Sequence, residues 1–145
     1  MKIIKREISN SILGKLKPNK VVIISGARRT GKTFLLKEII KNIKEPYMLL
    51  NGEDFNTSML LSKRSAENYR QLIGSKKYLL IDEAQKIPEI GSILKLMVDE
   101  LPGIRIIATG SSAFDLGNLA GEPLTGRKYT INLFPLSERE FNQAE

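Results

Sequence analysis

Eight consecutive residues of this chain combine glycine, lysine and threonine at a spacing that suits phosphate chemistry. The segment reads Gly26-Ala27-Arg28-Arg29-Thr30-Gly31-Lys32-Thr33. Glycines lack a Cβ atom, so the backbone N–H groups of such a loop can surround phosphate oxygens closely. A helix that begins near Lys32 would point the positive end of its dipole at the same oxygens. The spacing predicts a phosphate-binding loop, in which Lys32 contacts the β and γ phosphates and Thr33 offers its hydroxyl to Mg²⁺.

An accidental glycine turn is the alternative to this interpretation. The four fixed positions of the motif would occur together by chance in roughly one chain in two hundred of this length, before any requirement on the flanking elements. A β-branched run at 21–25 precedes the loop, and an apolar periodic segment that begins with Phe34 follows it. This strand, loop and helix order favours the functional interpretation, and we include Phe34 among the expected ligand-binding residues.

A pair of carboxylates, Asp82-Glu83, follows the apolar run at 78–81. An uninterrupted apolar run is typical of a parallel strand buried on both faces, and ligands bind at the carboxyl ends of such strands. We therefore expect Asp82 to hold Mg²⁺ opposite Thr33, and Glu83 to orient or deprotonate an attacking water. The alternative is a pair of acidic residues that caps a helix after a core strand.

Three further residues are candidates for contact with a γ-phosphate. Thr109 and Ser111 follow another apolar run, at 104–108, and either hydroxyl could contact the γ-phosphate or the water. Local turn hydrogen bonds are the alternative for both hydroxyls. Arg127 follows a glycine-containing segment and could act as an arginine finger in its own or a neighbouring subunit. A surface arginine at the start of a strand is the alternative for Arg127.

Alternating helices and strands are needed to position these residues. Hydrophobic periodicity and turn residues predict an amphipathic helix within residues 1–17 and a single domain over 1–145. Strands are predicted at 20–25, 47–50, 78–81, 104–109 and 127–133, and helices at 33–44, 89–101 and 113–119, with a mixed helical stretch at 53–74. Ser137 and Glu140 form a capping box, which predicts a further helix that is cut short at the end of the sequence.

Composition restricts the available chemistry. The 145 residues contain no cysteine and no histidine, which excludes disulfides, thiol nucleophiles, imidazole metal ligands and histidine acid–base catalysis. The formal net charge of +7 favours polyanionic partners. ATP is one such partner, whereas nucleic acid rests on charge alone because no aromatic residues are interleaved with the basic ones in the sequence. No stretch resembles a signal peptide or a membrane span, so we expect a cytoplasmic protein with no membrane partner.

In its motifs the chain resembles the P-loop ATPases with an additional catalytic glutamate, the broad group that contains the AAA+ proteins. More narrowly, it resembles an AAA-type bacterial and archaeal family whose members carry this domain at the N-terminus, before a C-terminal domain of uncharacterised role. The motifs behind the narrower resemblance are the segments 24–33 and 80–88, Thr109-Gly110-Ser111-Ser112, Leu119-Ala120-Gly121 with Gly126-Arg127, and Phe134-Pro135-Leu136-Ser137 to Glu140.

The resemblance implies an α/β fold with three layers, in which helices cover both faces of a parallel sheet of strand order 5-1-4-3-2. It implies ATP and Mg²⁺ at the carboxyl edge of the sheet, and hydrolysis coupled to a conformational change in a partner or in a C-terminal domain absent from this sequence. A homo-oligomer is a further expected assembly. A nucleotide-gated switch or a nucleic-acid-binding module with little turnover is the alternative function, while a two-domain helicase and a small-molecule kinase fit the sequence less well.

Overall fold

The computed structural model describes residues 2–26, 31–111 and 126–133 as a layered α/β domain. The elements in chain order are α1 (Lys2–Lys15), β1 (Lys20–Gly26), α2 (Lys32–Lys41), β2 (Tyr47–Asn51), α3 (Phe55–Ser62), α4 (Ala66–Ile73), β3 (Tyr78–Asp82), α5 (Ile90–Glu100), β4 (Arg105–Gly110) and β5 (Lys128–Leu133), with a 3₁₀ turn at Ala84–Lys86. The predicted helices at 113–119 and from Ser137 onward lie outside the described residues.

The five strands form one parallel sheet. Their order is β2-β3-β4-β1-β5, which is the order predicted from the family resemblance read in the opposite direction. Ser25 pairs with Gly110 and Asn51 pairs with Asp82, so the carboxyl ends of neighbouring strands are in register. The turns that follow these strands therefore lie along a single edge of the sheet, which we call the carboxyl edge.

Helices cover the two faces of the sheet, as the apolar runs of the strands require. All residues from Val21 to Gly26 are buried. Val21 and Ile23 belong to the cluster that packs under α4 and α5, whereas Val22 and Ile24 belong to the cluster under α1 and α2. This burial on both sides of the sheet is that of an interior strand, and β1 lies between β4 and β5 and ends at the carboxyl edge with Gly26.

The stretch at 53–74, for which the sequence indicates helix without clear boundaries, contains two short helices. Asp54 caps α3 by accepting a hydrogen bond from the Asn56 amide, and Ser65 caps α4 by accepting one from the Asn68 amide. Both residues are of the types that most favour an N-cap. The second predicted helix is shorter than expected, because its C-cap is Asn42 and the helix ends at Lys41.

Among the helices of the described residues, none has the length and apolar character that a membrane span requires.

Candidate functional site

The end of β1 and the start of α2 are the first components of the site. Gly31 caps α2 with φ 86° and ψ 19°, a left-handed conformation that glycine adopts without steric cost. Lys32 begins the helix, is only 6% exposed, and donates a hydrogen bond of 2.6 Å from Nζ to the Gly26 carbonyl. The predicted ligand-binding residues Ala27, Arg28, Arg29 and Thr30 lie outside the described residues.

Asp82, at the end of β3, joins the start of α2 to β4. Its Oδ2 accepts a hydrogen bond of 3.1 Å from the Thr33 hydroxyl, and its Oδ1 accepts one of 2.5 Å from the Thr109 hydroxyl. The structure therefore brings together Thr33 and Asp82, the two residues predicted to hold a metal ion. In the described residues there is no group of three or more acidic, histidine or cysteine side chains that could enclose a metal. A carboxylate and a hydroxyl, completed by water and phosphate oxygens, suit Mg²⁺, which keeps several such ligands.

Glu83 has a backbone conformation that is uncommon for a residue with a side chain. Its φ of 52° and ψ of 45° lie in the left-handed region, and strain of this kind persists where neighbouring contacts hold it. Its amide donates to the Thr109 hydroxyl at 3.0 Å and to Asp82 Oδ1 at 3.1 Å. One of its carboxylate oxygens, Oε2, accepts a hydrogen bond of 3.1 Å from Gln85 Nε2. The backbone and the side chain of Glu83 are thus both held in place.

Gly52, in the turn after β2, packs against the same bend. Its amide donates a hydrogen bond of 2.7 Å to the Asp82 carbonyl. A Cβ atom built on Gly52 would lie 2.1 Å from the Glu83 carbonyl oxygen, a distance far below van der Waals contact. The bend at Glu83 can have its observed shape only because this position has no side chain.

Two adjoining clefts open at the carboxyl edge. The first, of about 250 Å³, is lined by Gly31, Lys32, Thr33, Phe34, Glu53, Asp82 and Glu83. The second, of about 260 Å³, is lined by Lys32, Glu53, Glu83, Gln85, Lys86 and Ser111. Lys32, Glu53 and Glu83 line both clefts, so the described part of the site is continuous. Phe34 is 42% exposed and lies in the first cleft, where a ligand could contact it.

The two hydroxyl candidates have different positions. Thr109 is fully buried and its hydroxyl already donates to Asp82. The predicted contact between Thr109 and a γ-phosphate would require this hydrogen bond to break, and the contacts observed are those of a residue that positions Asp82 and Glu83. Ser111 lines the second cleft, and its carbonyl accepts a hydrogen bond of 3.4 Å from the Ser25 hydroxyl.

Arg127 is not brought to the site within its own chain. It directly precedes β5, whose first residue, Lys128, pairs with Val21 at the start of β1. The phosphate-loop end of β1 lies five residue pairs further along, which is about 16 Å at the rise of a parallel strand. The Arg127 guanidinium instead lies 3.0 Å from an Asp99 carboxylate oxygen. The expectation of a finger acting in its own subunit is therefore not met in this arrangement.

Sequence reasoning missed four residues of the site: Gly52, Glu53, Gln85 and Lys86. The Asn51-Gly52 pair was visible as the turn that ends a strand. Because the carboxyl ends of parallel strands meet at one edge, that turn could have been assigned to the site together with Glu53. The contact between Gln85 and Glu83 depends on the 3₁₀ turn after β3, which has no distinctive sequence pattern.

A family model described as "AAA domain" matches residues 18–142. The chain belongs to this AAA domain family. The match spans the described elements from β1 to β5. It therefore includes both Thr33 and Asp82, and the AAA domain family is a nucleotide-binding one.

Relatives of this AAA domain occur in archaea and bacteria. An uncharacterized protein of Methanocaldococcus jannaschii is 32% identical over 137 residues, which cover 92% of this chain and 31% of that protein. An uncharacterized protein of Mycobacterium tuberculosis is 33% identical over 123 residues, 83% of this chain and 26% of that protein. One from Haemophilus influenzae is 30% identical over 138 residues, 86% of this chain and 34% of that protein. The chain spans about a third or less of the length of these relatives.

A solved structure titled "Structural Basis for DNA Unwinding at Forked dsDNA by two coordinating Pif1 helicases" has a similar fold. The TM-score is 0.56 at 15% sequence identity, and the match covers 90% of this chain and 42% of the helicase chain. At this level of identity the similarity concerns the fold, which is that of a P-loop NTPase.

Proposed function

We propose that this AAA domain binds ATP with Mg²⁺ and hydrolyses it. The observation that carries the proposal is the hydrogen bond between Thr33 and Asp82, directly beside the buried Lys32. It joins the start of α2 to the end of β3, and so places a hydroxyl and a carboxylate side by side where phosphate oxygens would be held. Bound together, ATP and Mg²⁺ supply an activated phosphoanhydride bond and a cation that neutralises its developing charge.

The described residues have separable tasks in this proposal. Lys32 moves from the Gly26 carbonyl to the β and γ phosphates, which are stronger acceptors because they are charged. Thr33 and Asp82 supply oxygen ligands for the ion. Glu83, whose carboxylate borders both clefts, orients the water and accepts its proton. Thr109 keeps Asp82 and the Glu83 amide in register with each other.

The test separates binding from turnover. Lys32→Ala should abolish measurable ATP binding in calorimetry with Mg²⁺, whereas Lys37→Ala, on the exposed surface of the same helix, should bind as the unmodified protein does. Glu83→Gln should bind ATP normally and lower kcat by about 10²- to 10⁴-fold, the range expected for the loss of a general base. Unchanged ATP affinity in Lys32→Ala, or unchanged turnover in Glu83→Gln, would contradict the proposed roles.

The alternative is a nucleotide-gated switch, in which occupancy rather than turnover matters. The hydrogen bond from Gln85 to Glu83 favours the switch if this bond restrains the general base. Tight Mg-ATP binding that depends on Lys32, without hydrolysis even when candidate partners are added, would select this alternative. In either case we propose that the nucleotide state is coupled to a change in a partner or in a further domain, because the relatives are about three times longer than the matched region.

A further inference from the structure

The edge of the sheet opposite the clefts carries a continuous group of basic side chains, which we call the basic edge. It consists of Lys15, Lys17, Lys20, Lys77, Arg105 and Lys128. Lys15, Lys17, Lys20 and Lys77 are exposed, and Arg105 and Lys128 are half-buried. Lys15, Lys17 and Lys20 are close together in the sequence, whereas Lys77, Arg105 and Lys128 are far from them and from one another. The fold brings them to one side of the molecule.

Strand register makes this group a row. Lys20 pairs with Arg105 across β1 and β4, and the Arg105 amide donates to the Lys77 carbonyl at 3.1 Å. On the other side of β1, Val21 pairs with Lys128. Neighbouring strands are about 4.8 Å apart, so four adjacent strands each place one basic residue at their start, with Lys20 and Arg105 on one face of the sheet and Lys128 on the other. Lys15 and Lys17 extend the row from the end of α1.

In the described part of the chain, the two carboxylates at the end of α5 each have a cation outside the row. Asp99 lies 3.0 Å from Lys95 and 3.0 Å from Arg127, and Glu100 lies 3.6 Å from Arg70. The side-chain hydrogen bond from Lys95, with the charge of Arg127 beside it, lowers the pKa of Asp99 from its ordinary value. Lys20 donates to the Gly126 carbonyl at 2.6 Å, a neutral acceptor that leaves the positive charge in place.

A favourable interaction with the end of a helix dipole explains only one residue of the row. Lys15 is in the last turn of α1, where a cation interacts favourably with the negative end of the helix. Lys20, Arg105 and Lys128 instead begin strands, which have no comparable dipole. A row that continues across strand starts needs another explanation.

Aromatic rings lie among these charges, and two of them, Tyr78 and Tyr129, directly follow Lys77 and Lys128 in the sequence. The Lys15 ammonium lies 4.8 Å from the centroid of the Tyr129 ring, and the Arg105 guanidinium lies 5.8 Å from that of Tyr78. Tyr47 pairs with Tyr78 at the start of β2. Tyr129 is 43% exposed and Tyr47 39% exposed, so both offer ring surface to a ligand. The sequence-based statement that nucleic acid rests on charge alone, because aromatic residues are missing beside the basic ones, is therefore wrong.

We propose that the basic edge is a docking surface for the phosphate backbone of a nucleic acid. A regular row of cations suits a regular row of phosphates, and the adjacent tyrosines suit bases or sugars. The proposal goes beyond the proposed ATPase and does not depend on it, since it concerns the edge opposite the clefts.

The test uses charge reversal at the basic edge with a matched control. Lys17→Glu combined with Lys77→Glu changes two exposed residues of the row, and Lys37→Glu combined with Lys63→Glu makes the same change in net charge at exposed positions outside it. Binding of labelled single-stranded and duplex DNA of about 20 nucleotides is measured by fluorescence anisotropy over a range of salt concentrations. The edge variant should bind at least about tenfold more weakly than the control, with a salt dependence reduced by about two released counterions.

The proposal would be overturned if the unmodified protein did not bind DNA at low salt, or if the two variants lost equal DNA affinity. Poly-L-glutamate serves as a second probe, and tighter binding of poly-L-glutamate than of DNA would also overturn the proposal. The last outcome would indicate an acidic protein partner. ATP binding is measured in the same samples and should be unchanged in both variants, so a folding defect or a failure of the ATPase proposal is recognised separately.

Discussion

At the scale of single residues, Asp82 is the group through which the site is assembled. Its two carboxylate oxygens accept from Thr33 and Thr109, which come from α2 and β4, while its carbonyl accepts from Gly52 after β2. One side chain and its peptide group thus connect three neighbouring elements to β3. This concentration of contacts explains why Glu83, the next residue, can be held in a left-handed conformation.

From the hydrogen bond between Gln85 and Glu83 we predict that the Gln85 side-chain amide positions the general base. Gln85→Leu removes the only donor that the described residues provide to Glu83 Oε2, while an apolar group of similar size still fills the half-buried turn. We expect kcat for ATP hydrolysis to fall by about tenfold or more with KM unchanged, because the base retains its chemistry and loses its orientation.

Gln71→Leu, an exposed change on α4, is the matched control and should leave both constants unchanged. A higher kcat in Gln85→Leu would show that the amide restrains Glu83 instead, and would support the switch alternative. An equal rise in KM would place Gln85 among groups that contact the nucleotide.

At the scale of elements, the sequence predicted a strand and its place in the sheet correctly where a single local pattern determines them. The apolar run before Asp82 predicts a doubly buried strand, and its direction predicts that Asp82 faces the loop that begins at Gly26. The Glu83 conformation, the close packing of Gly52 and the hydrogen bond from Gln85 were not predictable, because they depend on how the turns after β2 and β3 fit together in space.

The position of Arg127 shows a different limitation. The sequence correctly indicates a strand directly after it, yet the expectation of a finger treated the residue as part of a reaching loop. Since β5 is parallel to β1, its first residues must lie at the edge away from the phosphate loop. The family resemblance already implied a parallel sheet with the last strand beside β1, and this topology, applied to Arg127, would have placed it away from the phosphate loop.

The close approach of the turn after β2 to the bend after β3 gives a stability prediction. Gly52→Ala would place a Cβ atom 2.1 Å from the Glu83 carbonyl oxygen, so backbone must move. We expect a loss of about 1–3 kcal/mol in the free energy of unfolding, measured by urea denaturation, together with weaker Mg²⁺-dependent hydrolysis. Gly14→Ala is the control, because a Cβ there meets nothing within 4 Å and alanine favours helix by up to about 1 kcal/mol. Equal stability of the two variants would contradict the close packing of Gly52 against the Glu83 carbonyl.

At the scale of the whole molecule, the two edges of the sheet are chemically distinct and mechanically joined. Asn19 lies at the edge that carries the basic residues, and its side chain donates to the Val98 and Leu101 carbonyls at 2.7 and 2.9 Å and accepts from the Gly103 amide at 3.1 Å. These bonds tie the entry of β1 to the end of α5. The other end of β1 leads into the phosphate loop, so a rigid central strand links the proposed docking surface to the proposed nucleotide site.

The buried Tyr69 makes global stability depend on alkaline pH. The ring of Tyr69 is fully buried, and its hydroxyl donates a hydrogen bond of 2.7 Å to the Leu61 carbonyl. Burial raises the pKa of Tyr69 above its ordinary value, because the phenolate would lose its hydration. The folded state therefore holds this proton more tightly than the unfolded state does. The stability that depends on the neutral phenol is fully present below about pH 10, the pKa of an unfolded tyrosine, and is lost as pH rises above it.

Tyr69→Phe tests this dependence, since it removes the titrating group and leaves the Leu61 carbonyl without its donor. At pH 7 we expect the variant to be less stable than the unmodified protein by about 1–3 kcal/mol in urea denaturation. At pH values above 10 the difference should shrink, because only the unmodified protein must keep a phenol protonated in order to remain folded. Tyr47→Phe, at a tyrosine that is 39% exposed, should change stability little at neutral pH. A difference between Tyr69→Phe and the unmodified protein that stays constant up to pH 11 would mean that the phenolate is accommodated without unfolding, and that α4 is less tightly packed against the sheet than its buried ring indicates.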